Sequence, residues 1–291
     1  MTAAMVLAAG LGTRLRPLSA ELPKPLLPIG DRPAVMHLLE RLARAGISRA
    51  VINTHHLPEA FASLGAPPLP VDVIHEPEIL GTAGGLHNAA SLLGDGDVLV
   101  WNADIVADVD VDGLLALLRG GAAAALAAAP RPRGQGTLGV DASGRLVRLR
   151  GVVVGSEARG GDFLGVQAVS AALRGELPHA GCLVGDVYLP ALRGGGDLRV
   201  LDAPGPWDDI GTVAAYLDAN RRWLGARGAP AYVGAGARVG DEVVLEGSVV
   251  GAGASVQGRG TLRHCVIWPH ARAEAPLEDA VVTSAGTLVR R

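Results

Sequence analysis

The sequence predicts an α/β fold: a mostly parallel sheet with helices on both faces, followed by a short left-handed parallel β-helix of hexapeptide repeats. Two observations carry this. Apolar runs at residues 5–9, 50–53, 71–75 and 98–101 each lie near a segment with helical spacing, and such runs fit strands buried on both faces. After about residue 226 the pattern changes to a six-residue beat of Val233, Val239 and Leu245, then Val250, Val256, Leu262 and Trp268, with Gly or small residues between. Apolar residues recurring at that period mark coils whose sides each turn one residue inward.

Taken in order, the first strand runs into a Gly-rich loop. Residues 34–45 then place Val35, Leu38, Leu39 and Leu42 on one face, with Gly46 as a stop signal, so a crossover helix joins the first two strands. Weaker strand signals at 145–149 and 163–169, and helical patterns at 186–193 and 213–224, extend the first domain. Residues 225–230 read as a linker, which gives domains of 1–226 and 227–291. The second holds about three coils with one slipped register. In such a sheet ligands sit beyond the carboxyl ends of the strands, so the loops there are the informative ones.

A net charge of −3 with 19% charged residues leaves no basic footprint for nucleic acid and no polybasic membrane patch. The longest apolar run, 122–129, is far short of a membrane span and the start lacks a basic n-region, so a cytoplasmic protein is expected. Cys182 and Cys265 stand far apart without metal-ligand spacing and read as reduced thiols. His55 and His56 are adjacent, but neighbours on a strand point to opposite faces; His264 and His270 read as exposed repeat positions. Lys24 is the only lysine among the 26 lysines and arginines. A compact ammonium and a planar guanidinium are not interchangeable at a phosphate oxygen, so its position is informative.

The first strand ends in Gly10-Leu11-Gly12-Thr13-Arg14-Leu15-Arg16-Pro17, where two glycines let backbone N–H groups approach a phosphate chain. Leu15 replaces the third glycine of a dinucleotide fingerprint, and no P-loop lysine follows. Pro23-Lys24-Pro25-Leu26-Leu27-Pro28-Ile29-Gly30 supplies a second cation beside Arg14. The pair resembles the signature of the sugar-1-phosphate nucleotidyltransferase family. The resemblance continues through Leu80-Gly81-Thr82-Ala83-Gly84-Gly85-Leu86, Asn102-Ala103-Asp104, Phe163-Leu164-Gly165-Val166-Gln167 and Trp207-Asp208-Asp209-Ile210-Gly211-Thr212, in family order over about residues 3–220.

The resemblance implies a Rossmann-like nucleotidyltransferase domain. It places Ala8, Ala9, Gly10, Gly12, Thr13, Arg14, Lys24, Gly81, Thr82, Ala83 and Gly84 at the nucleotide, and Asn102, Gly165 and Val166 at the sugar. Asp104 and Asp209 would hold Mg2+, and with Arg14 and Lys24 form the catalytic set. The lysine that many members place before the Phe-x-Gly strand is missing; Arg148, Arg150 and Arg159 stand nearby, and Arg159 is a candidate substitute.

The implied reaction joins an NTP to a sugar 1-phosphate by attack of an anionic phosphate oxygen on the α-phosphorus. It needs positioning and charge stabilisation rather than a protein nucleophile. Glu76-Pro77-Glu78 and the repeat tail look most like the mannose-1-phosphate guanylyltransferase branch, which favours GTP. An N-acetylmuramate-1-phosphate uridylyltransferase and a non-catalytic regulatory subunit that binds a nucleotide sugar are the alternatives. The exposed edges of the coils lead to the expectation of a homo-oligomer.

Overall fold

The computed structural model describes residues 2–291, which fold as two compact units. One comprises residues up to Gly10 with 38–58 and 65–207; the other gathers 11–37, 59–64 and 208–291.

The first unit is built on a ten-stranded sheet. Its parallel block runs, in spatial order, Val98–Asn102, Ala3–Leu7, Arg49–Thr54 and Val71–His75. Met5, Val51, Val98 and Val100 are fully buried and pack with Ala83 and Leu86 of helix Gly81–Asn88. Burial on both faces is why three of these strands read as continuous apolar runs instead of alternating ones.

Beyond Val98–Asn102 the sheet becomes mixed. Arg159–Val169 pairs antiparallel with that strand, with Ala124–Arg131 and with Leu138–Val140, while Leu198–Asp202 adds parallel to Ala124–Arg131. Ala124–Arg131 is a strand that its composition does not announce. Alanine has weak β preference, but this strand is hydrogen-bonded on both edges and buried over most of its length, and tertiary context overrides propensity.

In the second unit, helix Val213–Gly225 opens on Thr212, whose hydroxyl accepts the Ala215 N–H at 3.2 Å. The helix buries Tyr216, Asn220 and Trp223. Tyr216 Oη donates to the Pro28 carbonyl at 2.6 Å, and Asn220 Oδ1 accepts the Gly30 N–H at 2.8 Å. Gly30 has φ 62°, and a Cβ there would lie 2.1 Å from the Trp223 ring, so both conformation and space require glycine.

The chain then winds through coils of parallel strands. Tyr232 pairs with Val249 and Val249 with Val266; on another side Arg238 pairs with Ser255 and Ser255 with Arg272. The 17-residue offset, seen also between Glu242 and Arg259, is one short of three six-residue sides, which accounts for the slipped beat. Val250, Val256, Leu262 and Trp268 are buried as expected of inward positions. Val233 corrects that expectation: it is 47% exposed, because the first coil has no preceding coil to pair with and cover it. A closing hairpin pairs Ala280–Val282 with Leu288–Arg290.

Side chains far apart in sequence bind this unit together. Trp268 Nε1 donates to Tyr216 Oη at 3.1 Å, and the Thr283 and Thr287 hydroxyls donate to Glu21 Oε1 at 2.6 and 2.8 Å. Among the described residues no helix is long and apolar enough to cross a membrane.

Candidate active site

Within the first unit, the carboxyl ends of the four parallel strands lead into one cavity of about 220 Å³. Ala9, Gly10, Gly81, Thr82, Asn102 and Asp104 of the expected set line it, joined by Asn53 and Glu76. Asn53 Oδ1 accepts the Ala8 N–H at 2.8 Å, Asn53 Nδ2 donates to Glu76 Oε1 at 2.8 Å, and Glu76 Oε2 accepts the Leu80 N–H at 3.2 Å. A buried carboxylate is costly unless its oxygens are hydrogen-bonded, and here both are. The pair fixes the loop after the first strand relative to the turn before Gly81.

From the sequence Glu76 stands out only as a branch marker and Asn53 only as the end of a strand. The available signal was a polar residue at the very end of an apolar strand, where ligands of such sheets sit.

The glycine-rich segment is close-packed. A Cβ on Gly81, whose φ is 77°, would lie 2.4 Å from the Gly181 carbonyl oxygen, and one on Gly85 would lie 2.6 Å from Asn53 Nδ2. The Ala83 N–H donates to that Gly181 carbonyl at 2.9 Å, and Thr82 Oγ1 accepts the Leu183 N–H at 2.8 Å. Ala83 and Gly84 are buried, so Gly81 and Thr82 are the members of this segment that reach the cavity. Gly165, with φ 72°, lets Asn102 approach: a Cβ would stand 2.4 Å from its Nδ2. Val166 corrects the expectation of a sugar-lining side chain, because it is fully buried opposite Trp101 in the sheet.

Two of the three arginines near the missing lysine are engaged. Arg159 Nη2 pairs with Asp202 at 2.9 Å. Arg148 donates to both oxygens of Glu157 and to the carbonyls of Gln135, Gly136 and Leu138. Hydrogen bonds from Arg148 and from the Gly134 N–H outweigh burial and hold the Glu157 carboxyl at about 2, well below its ordinary range. These groups pin the loop at 134–138.

In the second unit the other expected residues come together. Gly12, with φ 60°, precedes the turn Thr13–Leu15, and the Ser19 hydroxyl donates to its carbonyl at 2.8 Å. Leu15 anchors that turn in the core and leaves the Arg14 side chain 67% exposed. Lys24 opens the turn Lys24–Leu26, and its side chain is only 10% exposed. Its Nζ lies 3.1 Å from Asp209 Oδ1, while Arg14 Nη2 lies 3.6 Å from Asp209 Oδ2. Gly211 makes room for this: a Cβ would fall 2.6 Å from Arg14 Nη2. Asp209 thus gathers two cations, an ammonium and a guanidinium, of the kinds that bind phosphate oxygens.

Asp104 belongs to the first unit and Asp209 to the second. No group of three or more His, Cys, Asp or Glu suited to a metal occurs among the described residues. Mg2+ does not demand one, since it keeps waters and is held by one or two carboxylates together with substrate phosphates. Asp104 and Asp209 each offer a hard oxygen donor of the kind such an ion takes.

The Nucleotidyl transferase family profile matches residues 3–149. The mannose-1-phosphate guanylyltransferase of Mycobacterium tuberculosis is 32% identical over 305 residues, covering 99% of this chain and 83% of that protein. The N-acetylmuramate alpha-1-phosphate uridylyltransferase of Caulobacter vibrioides is 39% identical over 110 residues, covering 35% of this chain and 46% of its own. Among solved structures, HddC from Yersinia pseudotuberculosis, also determined complexed with GMP-PN, aligns with a TM-score of 0.64 at 23% identity over 77% of this chain and 100% of that one. At that identity the likeness is one of fold.

Proposed function

Since the chain belongs to the nucleotidyl transferase family, we propose that it transfers a nucleoside monophosphate from an NTP to a sugar 1-phosphate and releases pyrophosphate. The observation that carries the proposal is the setting of the only lysine: Lys24, nearly buried, shares the Asp209 carboxylate with Arg14. GTP and mannose 1-phosphate are the pair we favour, because similarity to a guanylyltransferase runs through 99% of the chain, tail included, whereas similarity to the uridylyltransferase covers 35%.

In this reading the attacking phosphate oxygen is already anionic, so no side chain need remove a proton. Arg14, Lys24 and the backbone N–H groups at Gly12 and Thr13 neutralise charge on the departing pyrophosphate. Such preorganised donors act chiefly in the transition state. Asn53 and Glu76 hold the loop after the first strand open toward the cavity, where Gly81 and Thr82 meet the nucleoside and Asn102 the sugar. Asp104 and Asp209 would offer carboxylate oxygens to Mg2+, which would supply charge neutralisation to the reacting phosphates. The proposal takes residues 1–226 as the transferase domain and 227–291 as a left-handed β-helix through which chains self-associate, in a cytoplasmic protein.

Pyrophosphate release with Mg2+, measured across five NTPs and a panel of sugar 1-phosphates, tests the reading. Turnover by one pair, abolished in Asp104→Asn, is the expected result. Tight nucleotide-sugar binding without turnover by any pair would replace it with the regulatory-subunit reading.

A further inference from the structure

The coils carry a feature the transfer reaction does not use. On one side of the stack, Arg238, Ser255 and Arg272 stand in register on three successive parallel strands. Adjacent strands lie about 4.8 Å apart, so the two arginine backbones are roughly 10 Å apart with the serine midway. A cavity of about 630 Å³ opens over this column.

Elsewhere on the coils, stacked charges are matched. Arg259 pairs with Glu242 at 2.7 Å and Arg263 with Glu246 at 2.8 Å, each across one coil. Arg238 and Arg272 have no such match: neither has a carboxylate partner among the described residues, and no Asp or Glu lines the cavity. The nearest carboxylate by register, Glu274, is level with Gln257.

The corner of the coil repeats the contrast. Gly236 and Gly253 turn with φ of 68° and 67°, and the same corner one coil on is His270 with φ 61°. A side chain in that conformation is strained, which draws attention to what it does there. Its imidazole leans over Gly253, where a Cβ would meet His270 Nδ1 at 2.6 Å, and it walls the cavity. The other histidine corner, His264 with φ 52°, has its Nδ1 3.4 Å from Asp279. His270 instead lines the same cavity as Arg238 and Arg272.

We propose that the face formed by Arg238, Ser255, His270 and Arg272 is a binding site for a small phosphate-bearing anion, separate from the transferase machinery. Two arginines in register with a serine between them supply the forked donors and the hydroxyl that suit the oxygens of a phosphate or diphosphate group. Such an anion removes the repulsion of like charges stacked on one face.

The test is calorimetric titration of the full chain with inorganic pyrophosphate, without added metal, in three forms: unaltered, Arg238→Gln/Arg272→Gln, and Lys24→Ala. The expected result is binding that survives Lys24→Ala and weakens by about tenfold or more in the arginine double variant, the order expected for loss of bidentate contacts. The double variant should retain the thermal transition of the unaltered chain and its rate of pyrophosphate release. Binding equal in the double variant and the unaltered chain, or lost only in Lys24→Ala, would overturn the proposal without touching the transferase reading.

Discussion

Lys24 is the residue on which the proposed chemistry turns. Replacing it with alanine removes one preorganised donor, and loss of such a donor typically costs about 2.7–4 kcal/mol of transition-state stabilisation. Lys24→Ala is therefore expected to slow pyrophosphate release by about 10²–10³-fold while the circular dichroism spectrum is unchanged. Gly85 makes a second case. A Cβ there would enter contact range of both Asn53 and Glu76, at 2.6 and 2.9 Å, so Gly85→Ala should raise KM for the nucleotide more than it lowers kcat. At this scale the sequence disclosed residues whose type is itself unusual: a solitary lysine, paired glycines, an aspartate after an apolar strand. It did not disclose Asn53, because a single asparagine at the end of a strand has no pattern of its own, and its role exists only through the Ala8 and Glu76 groups that the fold brings to it.

Among the elements, three parallel strands were legible because burial on both faces leaves a continuous apolar run, whereas Val71–His75, read the same way, is an edge strand with Val73 exposed. The alanine strand Ala124–Arg131 was not, since nothing local distinguishes a buried alanine strand from an alanine helix. The loop pinned by Arg148 and Glu157 was invisible for a different reason: it depends on carbonyls of Gln135, Gly136 and Leu138 meeting one guanidinium. It carries a pH signature. The Glu157 carboxyl has an ordinary value of 4.5 and a folded value of about 2, so ionisation favours the folded state above pH 4.5. That contribution is lost as pH falls through this window toward 2. Glu157→Gln should accordingly lower the melting temperature at pH 7 and flatten its decline between about pH 5 and 2, measured by scanning calorimetry.

For the whole molecule, the sequence announced the coils through their six-residue beat but not the company they keep. Residues 208–291 share a compact unit with residues 11–37, which contain Arg14 and Lys24. The joining groups are the Trp268–Tyr216–Pro28 chain of hydrogen bonds and the threonine pair on Glu21. Tyr216→Phe leaves Trp268 Nε1 and the Pro28 carbonyl without this partner, an expected loss of about 1–3 kcal/mol in chemical denaturation. Thr283→Val combined with Thr287→Val should leave Glu21 only the Ala285 N–H at 3.3 Å and lower kcat, with little change in nucleotide affinity at the first unit's cavity; unchanged kcat would show that these contacts are mechanically idle.

The grip of the final hairpin on Glu21 also has a bearing on how the protein is made. Glu21 leaves the ribosome 262 residues ahead of Thr283, an interval of about 13–52 s at ordinary elongation rates. For that time the sheet can form while the segment holding Lys24 waits for its brace. A nascent chain that stalls before Thr283 carries the segment around Glu21 without its threonine contacts, so that brace arrives only once residues 280–290 have been made.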